Sequence, residues 1–236
     1  HDSFALKDLG RLNFFLGVEA TWHPDGLHLS QQRYIHDLLT KTNMLLAKPI
    51  STPLSASTTL SRFEGSTITD PTSYRSTVGS LQYLSLTRPD IAFAVNKVSQ
   101  FMQDPRDSHW SAVKRILRYL KSTISHTFCI HKNSSKQLTA YSDSDWASCL
   151  DDRRSTSGYC VLLGKNILSW SFKKQPTVSR SSTESEYKAI ANAVAELTWI
   201  QTLLHELGVT SPTQLVLYCD NIGATYLVSN PIYHAR

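Results

Sequence analysis

Three acidic residues carry side chains and settings that could do chemistry: Asp143, Glu186 and Asp220. Their contexts are Ala-Tyr-Ser-Asp143, Ser-Thr-Glu-Ser-Glu186-Tyr and Leu-Tyr-Cys-Asp220-Asn. The first and third end apolar, strand-like runs. The second falls in the first turn of a long amphipathic helix. Carboxylates gathered at the end of a sheet can hold divalent metal. Two Mg²⁺ ions about 3.5–4 Å apart activate a water and stabilise the leaving oxygen in phosphodiester hydrolysis. Mg²⁺ takes hard oxygen ligands and keeps several waters, so a few carboxylates and a substrate phosphate suffice. Clustered carboxylates repel one another, and bound metal relieves the repulsion.

The helix separates its two glutamates. Glu184 has Lys188 four residues on, in the favourable order for a solvated ion pair. Glu186 has Ile190, Ala193 and Leu197 along its own stripe, so it points along the buried face. Ser181-x-x-Glu184 and Thr183-x-x-Glu186 each fit a capping box, the competing reading for either glutamate. Asp143 and Asp145 share a face of a strand and either could bind metal. Asp143 is favoured because it closes the apolar strand, whereas Asp145 enters the loop with Trp146. Taken singly, each Asp also fits a strand-end turn or a helix cap.

The elements that must position these groups change character along the chain. Residues 12–19 read as one strand, His23-Pro24-Asp25-Gly26 as a turn, and Leu27–Leu29 as the return strand of a hairpin. Ser30 can cap the helix that follows. Pro, Ser and Thr over 49–73 read as an exposed connector. Helical periodicity occupies 74–86, 90–103 and about 107–123. Lys114, Arg118 and Lys121 line the last of these beside an apolar stripe. From about 136 the pattern becomes β-β-β-α-β-α. Its strands are Leu138–Asp143, Gly158–Leu163, Ile167–Phe172 and Gln214–Cys219, and its long helix spans about 183–207.

The 236 residues suit one large domain or two small ones. Their net charge of +5 lies wholly in residues 1–135, with 15 Lys+Arg against 10 Asp+Glu; residues 136–236 carry 9 of each. A basic half beside a metal-ready acidic site suggests a polyanion substrate, and a mildly basic surface is the plain alternative. Cys129, Cys149, Cys160 and Cys219 form no Cys-x-x-Cys pair, so they read as reduced thiols with no zinc motif. No run is apolar enough for a membrane span. Trp146, Trp170 and Trp199 read as core or edge aromatics. Arg153 and Arg154 read equally as a solvated loop or as phosphate contacts.

Tyr141-Ser-Asp-Ser-Asp-Trp-Ala147, Asp152–Cys160, Ser179–Tyr187 and Leu217-Tyr-Cys-Asp-Asn221 resemble the ribonuclease H domain of copia-type LTR retrotransposon polyproteins, as found in plants. Leu6–Gly10, Phe15-Leu-Gly17, Leu29-Ser-Gln31, Val78-Gly79, Leu86–Asp90 and Arg115–Lys121 are similar to the end of the reverse transcriptase of the same polyproteins. The resemblance implies an α/β class with an α+β N-terminal part. Residues 1–48 would end the polymerase palm with a primer-grip-like hairpin. Residues 49–135 would be a helical thumb or connection. Residues 136–236 would be an incomplete ribonuclease H-like mixed sheet with helices. It implies Mg²⁺-dependent hydrolysis of RNA in RNA–DNA hybrids, with two Mg²⁺ ions, or Mn²⁺ in their place. Asp143, Glu186 and Asp220 would be direct metal ligands. Lys114, Arg118, Lys121, Arg153 and Arg154 would contact the hybrid.

The implied partners are the hybrid and the upstream palm and fingers of the same polyprotein. The implied location is intracellular, in a cytoplasmic virus-like particle or the nucleus. The Tyr-x-Asp-Asp polymerase hairpin is missing from this sequence. Asp151-Asp152 has the wrong context, so no polymerase activity is expected. A fourth carboxylate would follow His234–Arg236, so weak or absent cleavage is expected of this chain alone. The alternatives are a non-catalytic nucleic-acid-binding remnant and a degenerate genomic copy.

Overall fold

The structure, a computed structural model, describes residues 10–55, 58–209 and 215–230. The chain opens with β1 (Phe14–Phe15), β2 (Val18–His23) and β3 (Gly26–Ser30). The expected 12–19 strand is therefore broken. Leu16 and Gly17 both take positive φ, 47° and 76°, and two such residues in succession reverse the chain as a tight hairpin turn. The Pro24–Asp25 turn falls where expected, closed by the His23–Gly26 pair.

The helical unit comprises α1 (Gln32–Lys41), α2 (Pro71–Leu84), α3 (Pro89–Ser99) and α4 (Asp107–Ser122). Proline opens both α2 and α3, where its missing N–H is no loss. Gln31, not Ser30, takes the cap position of α1, and the Ser30 hydroxyl one residue earlier accepts from Gln32 N–H at 3.1 Å. Ile35, Leu38, Tyr74, Val78, Leu81, Ile91, Val95, Val113, Ile116, Leu117 and Leu120 close one core. The connector before α2 is less exposed than expected. Leu54, Leu60 and Ile68 pack on this core, and Ser61 is buried.

A strand that the sequence reading missed, β4 (Phe128–His131), follows α4 and pairs antiparallel with β3. It completes a sheet of order β1-β2-β3-β4. The second sheet comprises β5 (Leu138–Asp145), β6 (Thr156–Leu163), β7 (Asn166–Lys174) and β8 (Val216–Tyr218). Its order is β7-β6-β5-β8. β5–β6 and β6–β7 are antiparallel and β5–β8 is parallel. The long helix α5 (Ser182–Glu206) lies between β7 and β8 in sequence and packs on β5 and β6. Its stripe of Ala189, Ile190, Ala193, Leu197 and Ile200 is buried, and Leu197 and Ile200 meet Leu138, Ala140 and Val161 of the sheet. α6 (Ile222–Ser229) follows β8. This is the expected β-β-β-α-β-α order with a mixed sheet. His234–Arg236, the first four residues of Leu6–Gly10 and Gln214 lie outside the described residues. No helix among the described residues is long and apolar enough to cross a membrane.

Candidate metal centre

The parallel pair β5–β8 brings two strand ends together, and α5 starts beside them. Tyr141 pairs with Tyr218, so Asp143 and Asp220 each lie two residues beyond a paired tyrosine. The two tyrosine rings stack with centroids 5.2 Å apart. Both aspartates are exposed. Glu186 comes from the other side, on the buried stripe of α5, and is only 5% exposed.

Glu186 is held, not loose. Its Oε1 accepts from Ser144 N–H at 3.0 Å, and its Oε2 accepts from the Cys219 thiol at 3.8 Å. The Gln175 side chain fixes the surroundings. Its Nε2 donates to Ser144 Oγ at 3.3 Å, Ser157 Oγ at 2.8 Å and Ser185 O at 2.9 Å. One buried amide thereby ties β5, β6 and the start of α5 together. Buried networks of this kind fix geometry when their members are satisfied.

Burial raises the Glu186 carboxyl from 4.5 to about 6. Ser144 N–H opposes the rise, while the charges of Asp143 and Asp220 add to it. The charges of both aspartates therefore reach Glu186. Among the described residues, ligand atoms of Glu186, Cys219 and Asp220 all lie within 4.8 Å of one another. Asp143 stands outside that tightest set but within reach of Glu186 by charge.

The neighbouring acids have other employment. Asp145 pairs with Lys97 Nζ at 3.1 Å and accepts from Ser148 Oγ at 2.5 Å and from Thr156 N–H. Glu184 pairs with Lys188 at 2.8 Å and accepts from Arg180 N–H at 2.8 Å, while Ser181 caps the helix through Glu184 N–H. The donor chemistry that remains, oxygen-rich and mutually repelling, fits a hard divalent cation.

Similar proteins place the chain. It is 54% identical over 99% of its length to the retrovirus-related Pol polyprotein from transposon RE1 of Arabidopsis thaliana. It is 40% identical, again over 99% of its length, to the corresponding polyprotein from transposon TNT 1-94 of Nicotiana tabacum. The chain belongs to the copia-type retrotransposon Pol polyproteins. It spans 16% of the RE1 polyprotein's length and 18% of the TNT 1-94 polyprotein's. It also covers 82% of an uncharacterised mitochondrial protein of Arabidopsis thaliana, at 52% identity over 84% of this chain. No protein-family model and no solved structure matches it.

The basic residues of this Pol segment are spread. Arg118 Nε donates to Lys48 O at 2.6 Å and Lys121 Nζ to Ala47 O at 2.8 Å, so both hold the segment after α1 against α4. Lys114 lies 6.0 Å from the Trp110 ring centroid. Arg153 is exposed with a φ of 56°, and Arg154 pairs with Asp152 at 3.7 Å. Trp146 and Trp199 are more than half exposed, while Trp170 packs against Phe128. Ser144, Gln175 and Cys219 escaped the sequence reading as site residues. The Cys219-Asp220 dipeptide at a strand end was the one local signal for the last.

Proposed function

We propose that this Pol segment carries ribonuclease H chemistry, with Asp143, Glu186 and Asp220 holding two Mg²⁺ ions, or Mn²⁺, for hydrolysis of RNA in RNA–DNA hybrids. One observation carries the reading: buried Glu186 stands within a 4.8 Å set with Asp220 at the β5–β8 strand ends, and burial and the charges of Asp143 and Asp220 push its carboxyl up. A buried carboxylate with two exposed ones repelling it is costly unless a cation fills the set. Bound there, the ions would activate the attacking water and stabilise the leaving oxygen.

The chain's own residues do the positioning. Ser144 N–H sets one oxygen of Glu186, and Gln175 holds the elements behind it. Asp143 and Asp220 stand exposed at the strand ends, where a phosphate backbone can reach them. Gly158 pairs with Asp143 and adds no side chain of its own there, and the Phe172 ring lies over the glycine. The domain assignment accompanies the reading: 1–48 as palm end, 49–135 as thumb or connection, and 136–236 as the nuclease unit. Its partners are the hybrid and the upstream palm and fingers, within a virus-like particle or the nucleus.

The test is cleavage of a hybrid by the polyprotein that carries this segment. Glu186→Gln and Asp220→Asn should each lower the Mg²⁺-dependent rate on the order of a hundredfold, the scale of losing one preorganised electrostatic group. Glu184→Gln should keep it. Undiminished cleavage by either of the first two variants would overturn the assignment.

A further inference from the structure

The ligand atoms that lie closest together at the centre include a sulfur. Cys219 Sγ sits with the carboxylates of Glu186 and Asp220 inside a 4.8 Å set. Its direction follows from strand alternation. Leu215 and Leu217 pack into the core under α5, so Cys219, two further on, faces the same side as Glu186. A second group points there too. Ser142 lies one step past the Tyr141–Tyr218 pair, beside Cys219. Ser142 is 7% exposed, and apart from the neighbouring Cys219 sulfur its hydroxyl has no hydrogen-bond partner. A buried hydroxyl with only a thiol to bond, beside two carboxylates, is a place for a ligand.

The donor set differs from an all-oxygen one. Mg²⁺ takes hard oxygen ligands. Zn²⁺ is borderline-soft and takes thiolate and carboxylate together. We propose that Glu186, Cys219 and Asp220 form a thiophilic cation site that takes Zn²⁺ through Cys219 Sγ. Its overlap with a magnesium centre, and hence competition between the two cations, rests on the function proposed above. The sulfur ligation does not. A bound cation displaces the thiol proton, which leaves to solvent.

Cd²⁺ is the probe, because a sulfur–cadmium bond adds an ultraviolet charge-transfer band. The full chain is titrated with Cd²⁺ in three forms: unaltered, Cys219→Ser, and a variant with Cys129, Cys149 and Cys160 all changed to Ser. The triple variant should keep the band, and Cys219→Ser should lose it. Zinc affinity of Cys219→Ser, by competition with a chelating dye, should fall by more than roughly tenfold, a loss typical even of residues one layer further from a metal. Circular dichroism checks folding. Should Cys219→Ser not fold, the triple variant decides alone, since it leaves the site intact. A band missing from the folded triple variant overturns the site, as does a band in folded Cys219→Ser as strong as that of the unaltered chain. Mg²⁺ should push the Cd²⁺ titration to higher concentration. A Cys219 band that Mg²⁺ does not shift upholds the thiophilic site and removes the shared magnesium centre. Mg²⁺-dependent hybrid cleavage without a Cys219 band keeps the enzyme and removes this site.

Discussion

Glu184 and Glu186 stand two positions apart on α5, a turn of roughly 200° about the helix axis. That rotation decides their chemistry. Glu184 is solvated beside Lys188, and Glu186 is 5% exposed. Because burial and the charges of Asp143 and Asp220 raise Glu186 to about 6, the folded chain holds a proton there that the unfolded chain releases nearer 4.5. The stability tied to that proton is fully present below 4.5 and is lost as pH rises through about 6. Without metal, Glu186→Gln should therefore unfold at higher denaturant than the parent at pH 7, by about 1–2 kcal/mol, and match it at pH 4. Urea titrations at both pH values measure this; equal midpoints at pH 7 would refute it. The aspartates two apart on β5 should respond with opposite signs. Asp143→Asn removes repulsion and should stabilise the metal-free chain. Asp145→Asn weakens contacts with Lys97, Ser148 and Thr156 and should destabilise it by about 1–3 kcal/mol. Thermal unfolding of the pair reads both signs. These three carboxylates were legible because periodicity and strand ends are local signals. Cys219, Ser142 and Gln175 were not, because only the β5–β8 register and the fold of α5 onto β5 and β6 bring them together.

Elements follow the same division between local and distant causes. α5 and β5–β7 are readable from apolar period, and their boundaries fall within two residues of expectation, the start of β6 and the ends of β5 and β7 running two residues further into polar sequence. β1 was merged with β2 because Phe-Phe-Leu-Gly looks like a continuous strand. The reversal depends on the left-handed conformations of Leu16 and Gly17. β4 is four residues long and exists by pairing with β3, about a hundred positions earlier. Gly158 shows how one element limits another. It pairs with both Asp143 and Phe172, and a Cβ there would meet the Phe172 ring at 2.8 Å. Gly158→Ala should force that ring off its place against Phe93, 5.6 Å away between centroids. The expected loss is about 1–3 kcal/mol, as for other overpacked sites. Chemical denaturation of the variant measures it, and an unchanged midpoint would show that the ring yields freely.

At the scale of the molecule, two cores have to act as one if the helical unit is to present a hybrid to the carboxylates. Several contacts join them, among them Phe128 with Trp170 and His131 with Asn166. Phe93 of α3 meets Phe172 of β7, and Lys97 of α3 pairs with Asp145 of β5. A further link runs through the connector. Asp151, its side chain 4% exposed, accepts from Ser61 Oγ at 2.6 Å and from Arg62 N–H at 3.1 Å. Ser61 O in turn accepts from His109 Nε2 at 3.0 Å, because Arg106 N–H already donates to Nδ1. A serine expected to lie in an exposed connector thus joins α4 to the loop after β5. Burial alone would raise the Asp151 carboxyl, yet these donors hold it below the ordinary aspartate value. Its contribution is present above about pH 4 and fades as acid protonates it. Asp151→Ala leaves Ser61 Oγ and Arg62 N–H without their partner, a loss of about 1–3 kcal/mol. Because the link joins two cores, the effect should exceed a lower midpoint. Protease should cut residues 49–70 faster, and thermal unfolding should broaden or split as the cores uncouple. A single sharp transition with unchanged cleavage of that segment would mean that the remaining contacts suffice to hold the two units together.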